Sequence, residues 1–234
     1  MHIAILITNT DFSDFAAARA DDGEKFATLL GTSRPDWRFS TFWVCKGDFP
    51  DDASAFDGIV VTGSPASVTE DAPWMLRLRD MLLAAIDRQQ KVFGACFGHQ
   101  LIARALGAPI VRNPLGWGHG LLALRRVAPM PWATGSDQML FYGSHIEQVA
   151  EAPQGTQIVY EGDGLPVGGL TMGDHLFTVQ HHPEMSHGFI CDLIEEYADV
   201  VGPEVTARAH ESLHQHADRD AIGEEIVRFF EWGR

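Results

Sequence analysis

Apolar residues recur along this chain at two different periods, and the alternation between them outlines the fold. Residues 2–8 contain the unbroken run Ile3-Ala4-Ile5-Leu6-Ile7, and other strand-like runs occur at residues 37–44, 57–62 and 91–95, the first of these interrupted by Arg38, Ser40 and Thr41. Short continuous apolar runs predict strands buried on both faces. Between them, residues 21–30 and 73–88 have helical spacing, the second through Trp74, Leu78, Met81, Leu82 and Ala85. Such βα units predict an α/β fold of the doubly wound kind. It would have a mostly parallel central sheet, helices on both faces and ligand sites at the carboxyl ends of the strands.

From residue 109 the texture changes to short strands separated by Gly and Pro turns, predicted at 118–126, 138–142, 156–161, 167–172 and 176–180. These read as antiparallel additions to the same unit. Residues 186–201 predict a helix. The tail, residues 203–234, is polar, with Val205, Ala209 and Leu213 spaced four apart. Its stripe of Ile222, Ile226, Phe229 and Phe230 would dock onto the rest of the fold or onto a second subunit, core packing being the simpler expectation. The expected organisation is one domain over residues 1–202 and a helical extension over 203–234 packed upon it. A chain of 234 residues is long enough for a substantial core.

Charge and composition narrow the classes. A net charge of −15, with Lys25, Lys46 and Lys91 as the only lysines, argues against nucleic acid or an anionic membrane as partner. The early run from Ile3 to Ile7 is too short for a signal peptide or a membrane span. Cys45, Cys96 and Cys191 are odd in number, widely spaced and unlike any metal pattern. That suits a reducing compartment and so a cytoplasmic location. No phosphate-binding Gly-rich loop is present, and the glycines at residues 116–120 read as a turn between strands, so no organic cofactor is expected. His210-Glu211-Ser212-Leu213-His214 fits a zinc-protease pattern. Its polar flanks make a solvated helix face the default, with an accidental metal site involving His216 second, and no functional metal is expected.

Chemistry concentrates in two segments. Gly94-Ala95-Cys96-Phe97-Gly98-His99-Gln100 follows a buried strand and opens a helical pattern, with glycines where a side chain would block a sharp corner. This is a nucleophile elbow with cysteine in place of serine. The free N–H groups and positive dipole end of the helix would favour negative charge on the sulfur. A buried structural cysteine is the competing reading of Cys96 by itself. The second segment, Val179-Gln180-His181-His182-Pro183-Glu184, runs off an apolar strand. Residues two apart on extended backbone share a face, which sets His182 beside Glu184. Cys96, His182 and Glu184 thus make a candidate triad.

Together these segments resemble the class I (triad) glutamine amidotransferases, and among them the stand-alone GMP-synthase-like members. The resemblance implies a flavodoxin-like three-layer sandwich with a mostly parallel central sheet and an added small antiparallel sheet. Two more stretches agree with it. Asp57 to Val68 matches the family's oxyanion loop, implying donors at Gly63, Ser64 and Phe97. Phe141 to Val149 resembles the segment that holds the substrate's amino-acid end, implying roles for Gln100, Gly143, Ser144 and His145. The chain departs from the family pattern at Ser64, where many relatives have glycine, at His181, usually aromatic, and at Glu147, often aspartate.

The implied activity is hydrolysis of glutamine through a Cys96 thioester, with ammonia passed to an unidentified acceptor, and a separate synthetase subunit is a partner the resemblance leaves open. Hydrolysis of other γ-glutamyl amides or peptides by the same triad is the alternative. A non-catalytic regulatory binding module that kept the fold is a third reading, disfavoured by the intact triad residues.

Overall fold

In the computed structural model, which describes residues 1–134 and 136–233, the first four apolar runs become β1 (His2–Leu6), β2 (Arg38–Phe42), β3 (Gly58–Val61) and β4 (Lys91–Ala95). Seven more strands follow: β5 (Ile110–Arg112), β6 (Gly118–Arg126), β7 (Gln138–His145), β8 (Glu147–Val149), β9 (Gln157–Gly162), β10 (Leu165–Met172) and β11 (Leu176–Val179). Nine of them form one sheet in the order β2-β1-β3-β4-β11-β10-β9-β6-β7. The first five in that order are parallel, and the last four continue the sheet in antiparallel sense. The expected antiparallel strands therefore widen the main sheet. The small separate sheet comes from β5 and β8, which pair Ile110 with Val149 and Arg112 with Glu147. Three-residue strands are too short to leave a periodic trace in the sequence.

Burial on both faces explains the continuous apolar runs. In β1, Ile3 and Ile5 point into one core and Ala4 and Leu6 into the other. Val60, Phe93 and Phe177 continue the first side, and Ile59, Val92 and Leu176 the second. The first face is covered by α2 (Asp22–Ser33), through Phe26, Leu29 and Leu30, and by α8 (Arg219–Glu231). The second is covered by α3 (Pro73–Asp87), through Leu78, Leu82 and Ile86, and by α4 (Phe97–Ala105), through Leu101 and Ile102. Asp21 starts α2 with a capping box, its carboxylate accepting from Glu24 N while Glu24 reaches back to Asp21 N.

The remaining helices are α1 (Asp14–Ala17), α5 (His187–Glu196), α6 (Ala198–Val201) and α7 (Pro203–Ser212). The helix expected over 186–201 is thus interrupted at Tyr197, and 118–120 are the start of β6 rather than turn. The stripe Ile222, Ile226, Phe229 and Phe230 is fully buried in the first core. Glu225, on the same helix and inaccessible to solvent, accepts hydrogen bonds from Arg126 Nη2 (2.7 Å), Tyr160 Oη (2.7 Å) and Thr134 N (2.8 Å). A buried carboxylate needs this degree of pairing, and it ties α8 to the antiparallel half of the sheet.

The His-Glu-x-x-His pattern does not form a two-histidine helical face. Helix α7 ends at Ser212, whose hydroxyl donates to Ala209 O and accepts from Leu121 N, so His214 lies past the helix end. His210 meets Glu195 instead, at 2.9 Å. Among the described residues no group of three or more His, Cys, Asp or Glu is placed to hold a metal ion, and no helix is long and apolar enough to cross a membrane.

Phe229 packs edge-on against Trp132 (5.2 Å between ring centroids) and Phe177 (5.7 Å). Phe229→Ala is expected to lower the unfolding free energy by about 3–5 kcal/mol, read from the urea midpoint. An unshifted midpoint would show that α8 does not anchor this core.

Candidate active site

The cysteine corner is made by close backbone approaches. β4 lies between β3 and β11, pairing Gly94 with Val61 on one side and Ala95 with Val179 on the other. The chain leaves the sheet at Cys96, whose N–H donates to Val179 O at 2.9 Å. Cys96 has φ of +49° and ψ of −104°, a region that costs a non-glycine residue about 1–3 kcal/mol. What holds it there is the packing of α4 directly behind. A Cβ on Gly98 would sit 2.6 Å from Val61 O, and one on Gly94 would sit 2.9 Å from the Gly98 carbonyl carbon. Both positions therefore require glycine. Phe97 is the first residue of α4, and its N–H has no carbonyl within the helix to bond.

His182 and Glu184 arrive from the end of β11. The N–H of His182 donates to Tyr142 O at 2.9 Å, a single bridge to β7. Its Nδ1 lies 2.7 Å from Glu184 Oε1, and both residues border the same cavity as Cys96. Burial alone would pull the pKa of His182 down. Interaction with Cys96 and with the Glu184 carboxylate, which accepts a hydrogen bond from the ring, reverses this and holds it well above the ordinary histidine range. His181 points the other way, its ring 5.2 Å from that of His145 and 6.1 Å from that of Phe141. Of the two adjacent histidines, His182 is the one that meets Glu184.

Around that one favoured imidazole the other buried histidines are held neutral. Burial pushes His181 well below its usual range, with His145 and His182 adding repulsion. His99, whose Nδ1 is 2.8 Å from Thr178 Oγ1, is pushed down to about 3, and His145 to about 4, in both cases chiefly by burial.

The loop after β3 closes the other side. Thr8, at the end of β1, donates its hydroxyl to Thr62 O and Gly63 O, both at 2.9 Å, and Thr62 O also accepts from Gly98 N at 3.2 Å. The His182 ring lies against Gly63 so closely that a Cβ there would be 2.5 Å from its Cε1. Ser64 follows, its hydroxyl accepting from Ala66 N at 3.2 Å.

Gln100 donates Nε2 to Glu147 O (2.7 Å) and to Gln180 Oε1 (3.2 Å), and Gln180 Nε2 reaches the Cys96 sulfur at 3.8 Å. Glu147 takes a hydrogen bond from Ser67 Oγ at 2.8 Å, joining β8 to the loop after β3.

Cys96, His182, Glu184, Gly63, Ser64, Gln100, Ser144 and His145 all border one cavity of about 720 Å³. Gly143 is not on its wall. Its Cα packs against Leu122 and His181, where a Cβ would lie 2.7 Å from Leu122 Cδ1, and Ile146 and Glu147 line the cavity instead. Thr8 and Gln180 are residues that sequence reading missed. For Gln180 a signal existed, since positions 180, 182 and 184 alternate onto one side. For Thr8 there was only its place at a strand end.

The class I glutamine amidotransferase model matches residues 40–190. A glutamine amidotransferase-like protein of Schizosaccharomyces pombe is 26% identical over 97% of this chain and 98% of its own length. Gamma-glutamyl peptidase 4 of Arabidopsis thaliana is 30% identical over 73% of this chain and 70% of its own. A glutamine amidotransferase crystal structure from Thermotoga maritima shares the fold with a TM-score of 0.75, covering 98% of this chain and 96% of that one at 15% identity. With its sheet order and the match across most of its length, the chain belongs to the class I glutamine amidotransferase family.

The neutral histidines make stability depend on pH. Unfolded, each imidazole titrates near 6.5, whereas in the fold His99 and His145 stay neutral down to about 3 and about 4. Between those limits only the unfolded chain binds the protons, so acidification favours unfolding. His182 has the opposite sign: its contribution is complete below 6.5 and is lost as pH rises through its folded value. Unfolding free energy should therefore fall from pH 6.5 toward pH 4, by up to about 1.4 kcal/mol per pH unit for each neutral histidine. Denaturant titrations should show a shallower slope in His99→Gln; an equal slope would contradict the assignment.

Proposed function

We propose that this protein hydrolyses the γ-amide bond of glutamine or a related γ-glutamyl compound through a thioester on Cys96. The observation that supports the reading is His182 bound to Glu184 at 2.7 Å, with Cys96 on the wall of the same cavity. The imidazole takes the thiol proton, and Glu184 holds the ring in one tautomer. The sulfur attacks the amide carbon. The oxyanion that forms is received by backbone N–H groups of Phe97 and of Gly63 or Ser64, at about 3–4 kcal/mol per donor. The His182 proton passes to the departing nitrogen, the carbon–nitrogen bond breaks, and ammonia or an amine leaves. Water, deprotonated by His182, then attacks the thioester; glutamate is released and the thiol restored.

The amino-acid end of the substrate rests on the backbone at Ser144, His145 and Ile146 and on Gln100. The latter's amide nitrogen is already committed to Glu147 and Gln180, so its oxygen is the end that would accept from an α-ammonium group. A second reading, hydrolysis of larger γ-glutamyl peptides with water as final acceptor, is favoured by the cavity. About 720 Å³ is within the range of sites that hold drug-sized ligands, and one of the relatives is called a γ-glutamyl peptidase.

Incubation with glutamine or a γ-glutamyl peptide, followed by acid quench and mass spectrometry, should trap a γ-glutamyl adduct on Cys96. Cys96→Ala should lose turnover and keep its thermal midpoint, and Glu184→Gln should slow turnover by about 10²–10⁴-fold. Wild-type turnover in Cys96→Ala would overturn the proposal.

A further inference from the structure

The cavity in front of Cys96 extends well past the residues that face the sulfur, and its outer part has no task in the thioester chemistry. There the wall is aromatic. Phe15 comes from α1, Phe189 from α5 and Tyr197 from the break before α6, while Phe12 and Trp43 stand at the mouth.

The cavity wall carries Arg19, Lys25 and Lys46 among six carboxylates. Only three lysines occur in a chain of net charge −15, yet two of them, Lys25 and Lys46, line this one cavity. They are held differently. Lys25 pairs with Asp22 at 2.8 Å, and Asp22 also accepts from Asn9 Nδ2 at 2.9 Å. Arg19, also on the wall, pairs with Asp192 at 2.7 Å. Lys46 has its ammonium 3.8 Å from the Trp43 ring centre and 4.7 Å from that of Phe12, and makes no ion pair among the described residues.

The acids of the wall are otherwise occupied. Glu184 is on His182, Glu147 accepts from Ser67, Asp21 and Glu24 cap α2, and Asp11 accepts from Ser13 N at 2.9 Å. Two aromatic faces steady an ammonium without cancelling its charge, which a carboxylate would do. Lys46 also sits at the correct edge of the sheet. It follows β2, whose end is in register with that of β1 (Phe42 with Leu6), and the neighbouring Cys45 donates to Asn9 O at 3.2 Å.

We propose that Lys46 is a specificity-determining residue that pairs with a carboxylate on the departing half of a γ-glutamyl substrate, whose apolar side chain lies on the wall of Phe15, Phe189 and Tyr197. This rests on the reading that Cys96 opens a γ-glutamyl amide bond. It adds that the amine released carries an acid group, as an amino acid or short peptide does.

The test uses γ-glutamylphenylalanine and γ-glutamylphenylalanine amide, which differ only in that carboxylate. Turnover is measured in wild type, and binding by calorimetry to Cys96→Ala, where no chemistry is needed. The free acid should be preferred by roughly fivefold, the scale of one exposed ion pair, and the preference should shrink as salt is raised. Lys46→Met should bring the ratio to about one, and Lys46→Glu should reverse it. An unchanged ratio in Lys46→Met, no preference in the parent protein, or failure of Cys96→Ala to bind either compound would overturn the proposal. If Cys96→Ala prefers the acid through Lys46 while no adduct ever forms on Cys96, the anion site stands and the hydrolytic reading falls.

Discussion

The contact on which the site depends is that of α4 with the strands behind it, at a distance only glycine allows. Gly98 rests on Val61 and Gly94 on the backbone of Gly98. Through the bond from Gly98 N to Thr62 O, the corner and the loop after β3 become one unit. The positive φ of Cys96 falls at this corner, between the two pinned glycines. A third glycine contact, Gly63 beneath the His182 ring, brings in β11. Three strand ends are thus drawn together by missing side chains, and the strain at Cys96 is offset by the core on either side of the sheet.

Electrostatics then select one imidazole from several. His99, His145, His181 and His182 are all buried, and burial disfavours charge on each. Of these four, only His182 has Cys96 and the Glu184 carboxylate beside it, and only its pKa rises. A proton entering this region therefore has one favourable seat, next to the sulfur. Neutral histidines around it fill space without competing for that charge, His145 donating from Nδ1 to Glu147 O at 3.1 Å.

The antiparallel half of the sheet, distant in sequence from the cysteine, orients the site. Tyr142 O, on β7, fixes His182 N, while from the small separate sheet Glu147 O fixes Gln100 from behind. Glu225 anchors the last helix to β6 and β9, and β6 is the strand that pairs with β7.

The parallel strands, the helices at α2 and α3, and the elbow at Cys96 were legible because their signals are local. They consist of continuous apolar runs, a period of 3.6, and glycines at fixed offsets from one cysteine. Alternation on extended backbone was enough to set His182 rather than His181 beside Glu184. The β5–β8 pair, the broken helix at Tyr197 and the end of α7 at Ser212 were not legible. The first is decided by a strand some forty residues away and the last by the backbone of Leu121. Gln180, Thr8 and Lys46 became visible only when the strand ends met, because what each does depends on which atoms lie opposite. One-dimensional spacing carries a side chain's neighbours on its own element. It is silent about the burial that lowers all four histidines and about the neighbours that raise one of them in spite of it.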